Sequence, residues 1–315
     1  VTSNDPLYNR QWNIENTGGA LQGSGTVDAD MDVAEAWGYT TGIPGIKISI
    51  VDSGVDTLHP DLIRNILPGH DAVDDSTDGY PTPNYQEDGH GTCCAGIVAA
   101  EKDNGIGVSG VAPECGIIPV RAFYYLLLQG ASGPIPYSTS AAFSQAISWS
   151  WQVGGADILS NSWGLPPTLL MVLPGGPQPV EDAINEAYQY GRNGKGCAMF
   201  FSSGNENGSG GPLWPGSMPN TIAVNATNMC DTRKAPGDCS GENWGGDHGG
   251  NLDFSAPGVR IASTDISGNL GFSAGNYYYT FNGTSAACPN AAAVGAPVLS
   301  LRSDLDAEGV RNVLA

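Results

Sequence analysis

Short apolar runs alternate with helix-spaced segments along the whole chain, and that alternation is the mark of βαβ units. Strands are predicted at Ile46–Val51, Ile117–Arg121, Asp157–Ser160, Cys197–Phe201 and Thr221–Val224. A helix of small residues begins at His90. A second spans Ser140–Val153 through Ala142, Ala146, Trp149 and Val153, and a third spans Val180–Tyr190 through Ala183, Ile184, Ala187 and Tyr188. A fourth, Ser285–Leu301, is apolar throughout and carries Pro297 as a point of kinking. Long loops are read at Asp71–Glu87, Gln129–Tyr137, Leu165–Pro179 and Asn207–Asn220. No shift of composition marks a boundary, so the expectation is one α/β domain over residues 1–315, with a mostly parallel central sheet and helices on both faces. In such sheets ligands sit beyond the carboxyl ends of strands. Asp52 and Asn205 both follow predicted strands there, on one rim.

Acidic residues outnumber Lys and Arg by 32 to 12, for a net charge of −20. Such a surface argues against nucleic acid and anionic membrane as partners. No apolar run approaches the roughly 18 residues of a membrane span. The amino terminus has neither a basic nor an apolar leader segment. The expectation is an exported protein, secreted or extracellular with the periplasm also open, whose signal peptide has been removed. Seven cysteines include no C-x-x-C pair, which argues against a structural zinc site. Cys230 and Cys239 flank a short polar loop and read as a disulfide, in keeping with export. Cys93 with Cys115 is a second pairing to test, and Cys197 reads as a buried strand residue.

Chemistry concentrates in Asn282-Gly283-Thr284-Ser285-Ala286-Ala287-Cys288-Pro289. Small neighbours leave the Ser285 hydroxyl open, and a helix start sets partial positive charge beside it. Serine needs a base to take its proton and a third group to orient that base. Asp88-Gly89-His90-Gly91-Thr92 offers His90 with an uncrowded ring. Val51-Asp52-Ser53-Gly54 offers the carboxylate, and Ser203-Gly204-Asn205 offers an amide donor for a developing oxyanion beside the Ser285 backbone N–H.

These segments resemble those of a subtilisin-like serine protease, a subtilase. So do His59-Pro60-Asp61-Leu62, Gly107-Val108-Ser109-Gly110-Val111-Ala112-Pro113 and Asn161-Ser162-Trp163-Gly164, and together they span nearly the whole chain. The resemblance implies a subtilisin-like three-layer α/β/α fold and a secreted serine endopeptidase made as a zymogen. It implies Asp52, His90 and Ser285 as the triad and Asn205 at the oxyanion hole. It also implies a monomer acting on polypeptide substrates, with a propeptide or protein inhibitor as a further partner. Signal peptide, prodomain and any C-terminal domain are expected to have been removed. The alternatives from the same fold are a kexin-like processing protease for basic sites and a non-catalytic peptide-binding relative.

Asn4-Asp5-Pro6, Gln11-Trp12 and the stretch before His90 resemble the kexin/furin branch. Leu165-Pro166-Pro167 and Gly216-Ser217-Met218-Pro219 stand where that branch carries acids, which argues against processing at paired basic residues. The resemblance further implies Ca2+ held by Asp5, Asp61 and Asn104 with the carbonyls of Glu101, Ile106 and Val108, an all-oxygen set suited to that ion. It implies Ser162-Trp163-Gly164 and Ser203-Gly204 as walls of a substrate pocket, with Glu206 at its floor. Trp214-Pro215 is a candidate cis peptide. Cys94 resembles the buried thiol of proteinase-K-like members. The sequons at Asn207, Asn225 and Asn282 are weak, because a glycan beside Ser285 would obstruct the site.

Overall fold

The computed structural model describes residues 1–75, 78–131 and 133–315; residues 76, 77 and 132, within two of the predicted loops, lie outside the described residues. The run Lys-Ile-Ser-Ile-Val-Asp is short and β-branched, and it forms β1 (Lys47–Asp52). The chain contains twelve strands among the described residues: β2 (His70–Asp71), β3 (Gly116–Arg121), β4 (Tyr124–Leu126), β5 (Ile135–Tyr137), β6 (Ile158–Asn161), β7 (Ala198–Ser202), β8 (Ile222–Asn228), β9 (Thr232–Arg233), β10 (Phe254–Pro257), β11 (Ile261–Thr264) and β12 (Tyr277–Phe281). The helices are α1 (Val33–Ala36), α2 (His90–Ala99), α3 (Ser140–Gln152), α4 (Pro167–Leu170), α5 (Gln178–Gly194), α6 (Thr284–Leu301) and α7 (Ala307–Leu314).

Seven strands form a parallel sheet in the order β2-β3-β1-β6-β7-β8-β10, with β9 antiparallel on β8. Strand period two separates the cores. Ile117, Ala198 and Phe200 join α2 and α6 in one cluster, while Ile118, Met199 and Phe201 join α3 and α5 in the other. The three-layer α/β/α expectation therefore holds. From β1 the chain steps to β3 on one side and later returns to β6 on the other, so β1 and β6 flank the point where the winding reverses.

Several differences have physical causes. The predicted loop Leu165–Pro179 contains α4, a single turn with proline in its first positions, too short to show a periodic face. The hairpin β4–β5 has mostly exposed or half-buried side chains, so no apolar alternation betrays it. Within α5 the backbone leaves helical geometry at Gly191, Arg192 and Asn193, which puts the effective helix end at Tyr190 as predicted. Cys230 and Cys239 are bonded to each other. The Cys93–Cys115 pairing is not formed. Both thiols are free and buried, Cys93 inside α2 and Cys115 packed against Gly42, where an added Cβ would lie 2.4 Å from its sulfur.

Candidate active site

Asp52 ends β1 and His90 opens α2. Glycine at position 91 permits their approach, since a Cβ there would lie 2.3 Å from the Gly54 carbonyl oxygen and 3.0 Å from the Asp52 Cβ. His90 Nδ1–H donates to Asp52 Oδ1 at 2.7 Å, and the Ser53 N–H donates to the same oxygen at 2.7 Å. Asp52 is completely buried. A carboxylate only accepts, so the proton belongs on Nδ1 and the lone pair on Nε2. Phe281 and Phe123 meet the ring edge-on at 5.3 and 6.5 Å and restrict its tilt.

Ser285 lies in the first turn of α6. The carbonyl of residue 285 would normally bond the N–H four residues on, but that residue is Pro289 and has none. The Ser285 carbonyl instead accepts from Ser162 Oγ at 2.9 Å and from Cys94 Sγ at 3.6 Å. Cys94 Sγ also lies 3.8 Å from Asp52 Oδ2, so one thiol spans the Asp–His pair and the serine. Burial foremost, then the Asp52 charge, pushes that thiol well above its ordinary value, and it packs as a neutral group. Ser285 Oγ makes a long 3.4 Å bond to the Ser162 carbonyl. None of the hydrogen bonds among the described residues joins it to His90, a looseness common in sites without substrate.

Asn205 follows β7. Its Oδ1 accepts from Thr284 N at 2.9 Å and Thr284 Oγ1 at 3.0 Å, which assigns the amide orientation and leaves Nδ2 as a donor. Gly283, at φ +111°, has no side chain. A Cβ there would lie 3.4 Å from both Asn205 Nδ2 and the Ser285 backbone N, so two donors converge on one small space. Thr284 lies inside the Gly-Thr-Ser motif, but a threonine between glycine and serine carries no sequence signal for its role as the anchor of Asn205. The partners Phe281 and Phe123 left no signal either.

Ser162-Trp163-Gly164 extends from β6, and Trp163 stacks on Phe143 at 4.0 Å between ring centroids. Beside it opens an apolar pocket lined by Phe123, Phe143, Trp163, Gly164, Leu169 and Val172. Ser203 is buried, and the Gly204 N–H donates to Thr284 Oγ1 at 3.2 Å. Glu206 differs from the expected pocket floor: it is exposed on the loop, where its main chain bridges Gly245, and it does not line that pocket. The Trp214–Pro215 peptide is cis, and the Trp214 carbonyl accepts from Leu165 N at 2.7 Å just beyond Gly164. His59 bonds the Asn276 carbonyl, and His70 stacks on Trp149, away from these groups.

The predicted cation ligands gather where the amino-terminal segment meets the 101–109 loop. Asp5 accepts from Gly105 N, Asp103 N and Ser109 Oγ, while Asp61 accepts from Val108 N at 3.0 Å and Asn104 Nδ2 at 2.7 Å. Both carboxylates are buried, at 4% and 0% exposure, and neither takes part in an ion pair among the described residues. Burial foremost raises the Asp61 carboxyl to about 6, the Asp5 charge adding and the Val108 and Asn104 bonds opposing. Two buried acids without a side-chain cation fit an all-oxygen metal site. The Glu101 side chain turns away to Arg64 at 2.7 Å, which leaves only its carbonyl for the set.

The family model "Subtilase family" matches residues 44–315. A "Calcium-dependent protease" of Nostoc sp. is 33% identical over 98% of this chain and 46% of its own length. "Neuroendocrine convertase 2" of Mus musculus is 35% identical over 97% of this chain and 45% of its own. The chain thus spans about half the length of these curated relatives. Among solved structures, the serine protease of Aeromonas sobria in complex with its chaperone superposes with a TM-score of 0.79 at 22% identity, covering 99% of this chain and 57% of that one. Proteases of Pseudoalteromonas arctica superpose at 0.73 with 23% identity, covering 99% and 91%. With the matching model spanning most of its length and relatives above 30% identity spanning nearly all of it, this chain belongs to the subtilase family.

Proposed function

We infer that the chain is an exported serine endopeptidase. Ser285 Oγ attacks the scissile carbonyl carbon while His90 Nε2 takes its proton, and Asp52 stabilises the imidazolium. The oxyanion of the tetrahedral intermediate accepts from Asn205 Nδ2 and the Ser285 backbone N–H. His90 then returns the proton to the leaving amine as the C–N bond breaks, giving an acyl-enzyme. Water, deprotonated by His90, releases the acid and restores Ser285. The observation that carries this reading is the convergence of two free donors at Gly283, beside a serine and a histidine already oriented by a buried carboxylate.

The polypeptide enters extended along Ser162-Trp163-Gly164. The neighbouring pocket is apolar, with no acid among its lining residues, so it favours apolar over basic side chains. A propeptide or inhibitor protein would use the same groove. Calcium would sit between Asp5, Asp61 and Asn104 with the carbonyls of Glu101, Ile106 and Val108, where its charge offsets two buried acids. The Cys230–Cys239 bond suits an oxidising compartment.

A fluorophosphonate tests the mechanism. One adduct on Ser285 is expected, lost in Ser285→Ala and in His90→Ala. Folded wild-type protein that takes no label favours a peptide-binding relative without turnover. Mapping cleavage sites across a peptide library checks the pocket, and a strict requirement for paired basic residues would overturn the apolar preference.

A further inference from the structure

Lys234 has no solvent exposure. Its side chain folds into the loop that follows it, donating to Trp244 O at 2.8 Å, Glu242 O at 3.0 Å and Ala235 O at 3.2 Å. Asp238 Oδ2 lies 3.3 Å away, and the Trp244 ring 4.9 Å. Three carbonyls match the three N–H donors of an ammonium group. The backbone of Lys234 is tied as well: its N–H donates to Ala226 O on β8 at 2.7 Å, and its carbonyl accepts from Gly246 N at 3.1 Å.

The far end of this loop grips the segment that bears Asn205. Asn207 N donates to Gly245 O at 2.8 Å, Asp247 N to Gly204 O at 2.9 Å, and Gly208 N to Asp247 Oδ1 at 2.6 Å. The fit is close, since a Cβ on Gly204 would lie 2.2 Å from Asp247 Oδ2 and one on Gly245 would lie 2.7 Å from Asn207 Oδ1. Strand β7 ends at Ser202, so Asn205 has no strand ladder of its own. Its neighbours Gly204 and Asn207 are bonded to Asp247 and Gly245, and the loop carrying those two residues wraps the Lys234 ammonium.

We propose that Lys234 is a positioning residue: its buried ammonium shapes residues 235–247, and through Gly245 and Asp247 that loop fixes where Asn205 Nδ2 meets the developing oxyanion. The proposal rests on the roles of Ser285 and Asn205 given above.

A double-mutant cycle tests it. Wild type, Lys234→Met, Asn205→Ala and the double variant are compared by fluorophosphonate titration of Ser285 and by kcat and KM on a peptide amide. Lys234→Met with a cooperative melting curve is expected to lose about tenfold in kcat, with KM held within about twofold. In the Asn205→Ala background the further loss is expected to stay below about twofold, because the donor it positions is gone. An unchanged kcat, or an equal loss with and without Asn205, overturns the proposal. Should Lys234→Met fail to fold, Asp247→Ala carries the same cycle with the same two outcomes. A wild-type chain that neither takes the label nor hydrolyses peptide overturns the reading of the site, and the positioning role with it.

Discussion

Asp5 with Asp61, and Lys234 with its loop, are two answers to one problem. Each buries charge to fasten a loop, the first past the end of α2 remote from His90 and the second beside the segment that bears Asn205. At the first, two buried carboxylates lie within electrostatic reach of each other, and neither forms an ion pair among the described residues. At the second, the chain supplies the cation itself and wraps three carbonyls around it. With calcium bound as proposed, the first fastening would depend on the medium, whereas the second is covalently attached to what it holds. The contrast teaches that calcium dependence in such a fold need not extend to every buried-charge site.

The largest effect should come from Lys234. Lys234→Met removes the donor of the Glu242 and Trp244 carbonyls and the positive charge beside Asp238, and a loss of about 3–5 kcal/mol is expected. Denaturant unfolding should give the same loss in calcium and in excess chelator. A loss that appears only with chelator would join the two regions and break the contrast.

Chelating the wild type comes next. With free calcium at 100–1,000 times its Kd, the ion contributes about 3–4 kcal/mol to the fold. Excess chelator should therefore lower Tm, and an unchanged Tm removes calcium from the Asp5–Asp61 region.

The pH dependence is slightly smaller. In the ion-free protein the Asp61 carboxyl stands at about 6, against an ordinary 3.8. A raised folded value means that this group's contribution is full below pH 3.8 and is lost as pH rises through 6, roughly 3 kcal/mol in all. Calcium needs the carboxylate, so protons compete with it below pH 6. The Tm gap between calcium and chelator should be wide at pH 8 and close toward pH 4.5; a gap independent of pH would place the ion away from Asp61.

The smallest effect concerns Cys230–Cys239, which closes a short loop of sequence separation 9. Replacing both cysteines by serine should cost about 2.5 kcal/mol. Because Lys234 still holds the neighbouring residues, kcat should remain near wild type. A fall in kcat as large as that of Lys234→Met would assign the positioning to the disulfide.

Much of the fold was legible because buried parallel strands and their helices leave strong apolar runs. β1, β3, β6 and β7 fell within a residue or two of their predicted ends. The hairpin β4–β5 and the turn α4 were not, because their side chains are largely exposed and their lengths too short for a period to register. In the site, Asp52, His90, Asn205 and Ser285 stood out through small flanking residues at strand and helix ends. Thr284 and Lys234 did not. Each acts through a fold-back whose partners are chosen by tertiary packing, and a lone lysine in a polar loop reads like any solvated surface charge.

The missing N–H of Pro289 has a mechanical consequence. A carbonyl that would have closed one turn of α6 joins that helix to β6 and α2 instead. The three elements are thereby joined at Ser285. Strands β4 and β5 and the segment 165–174 carry half-buried or exposed side chains with no such tie, so on the proposed reading substrate range would drift through those surface pieces.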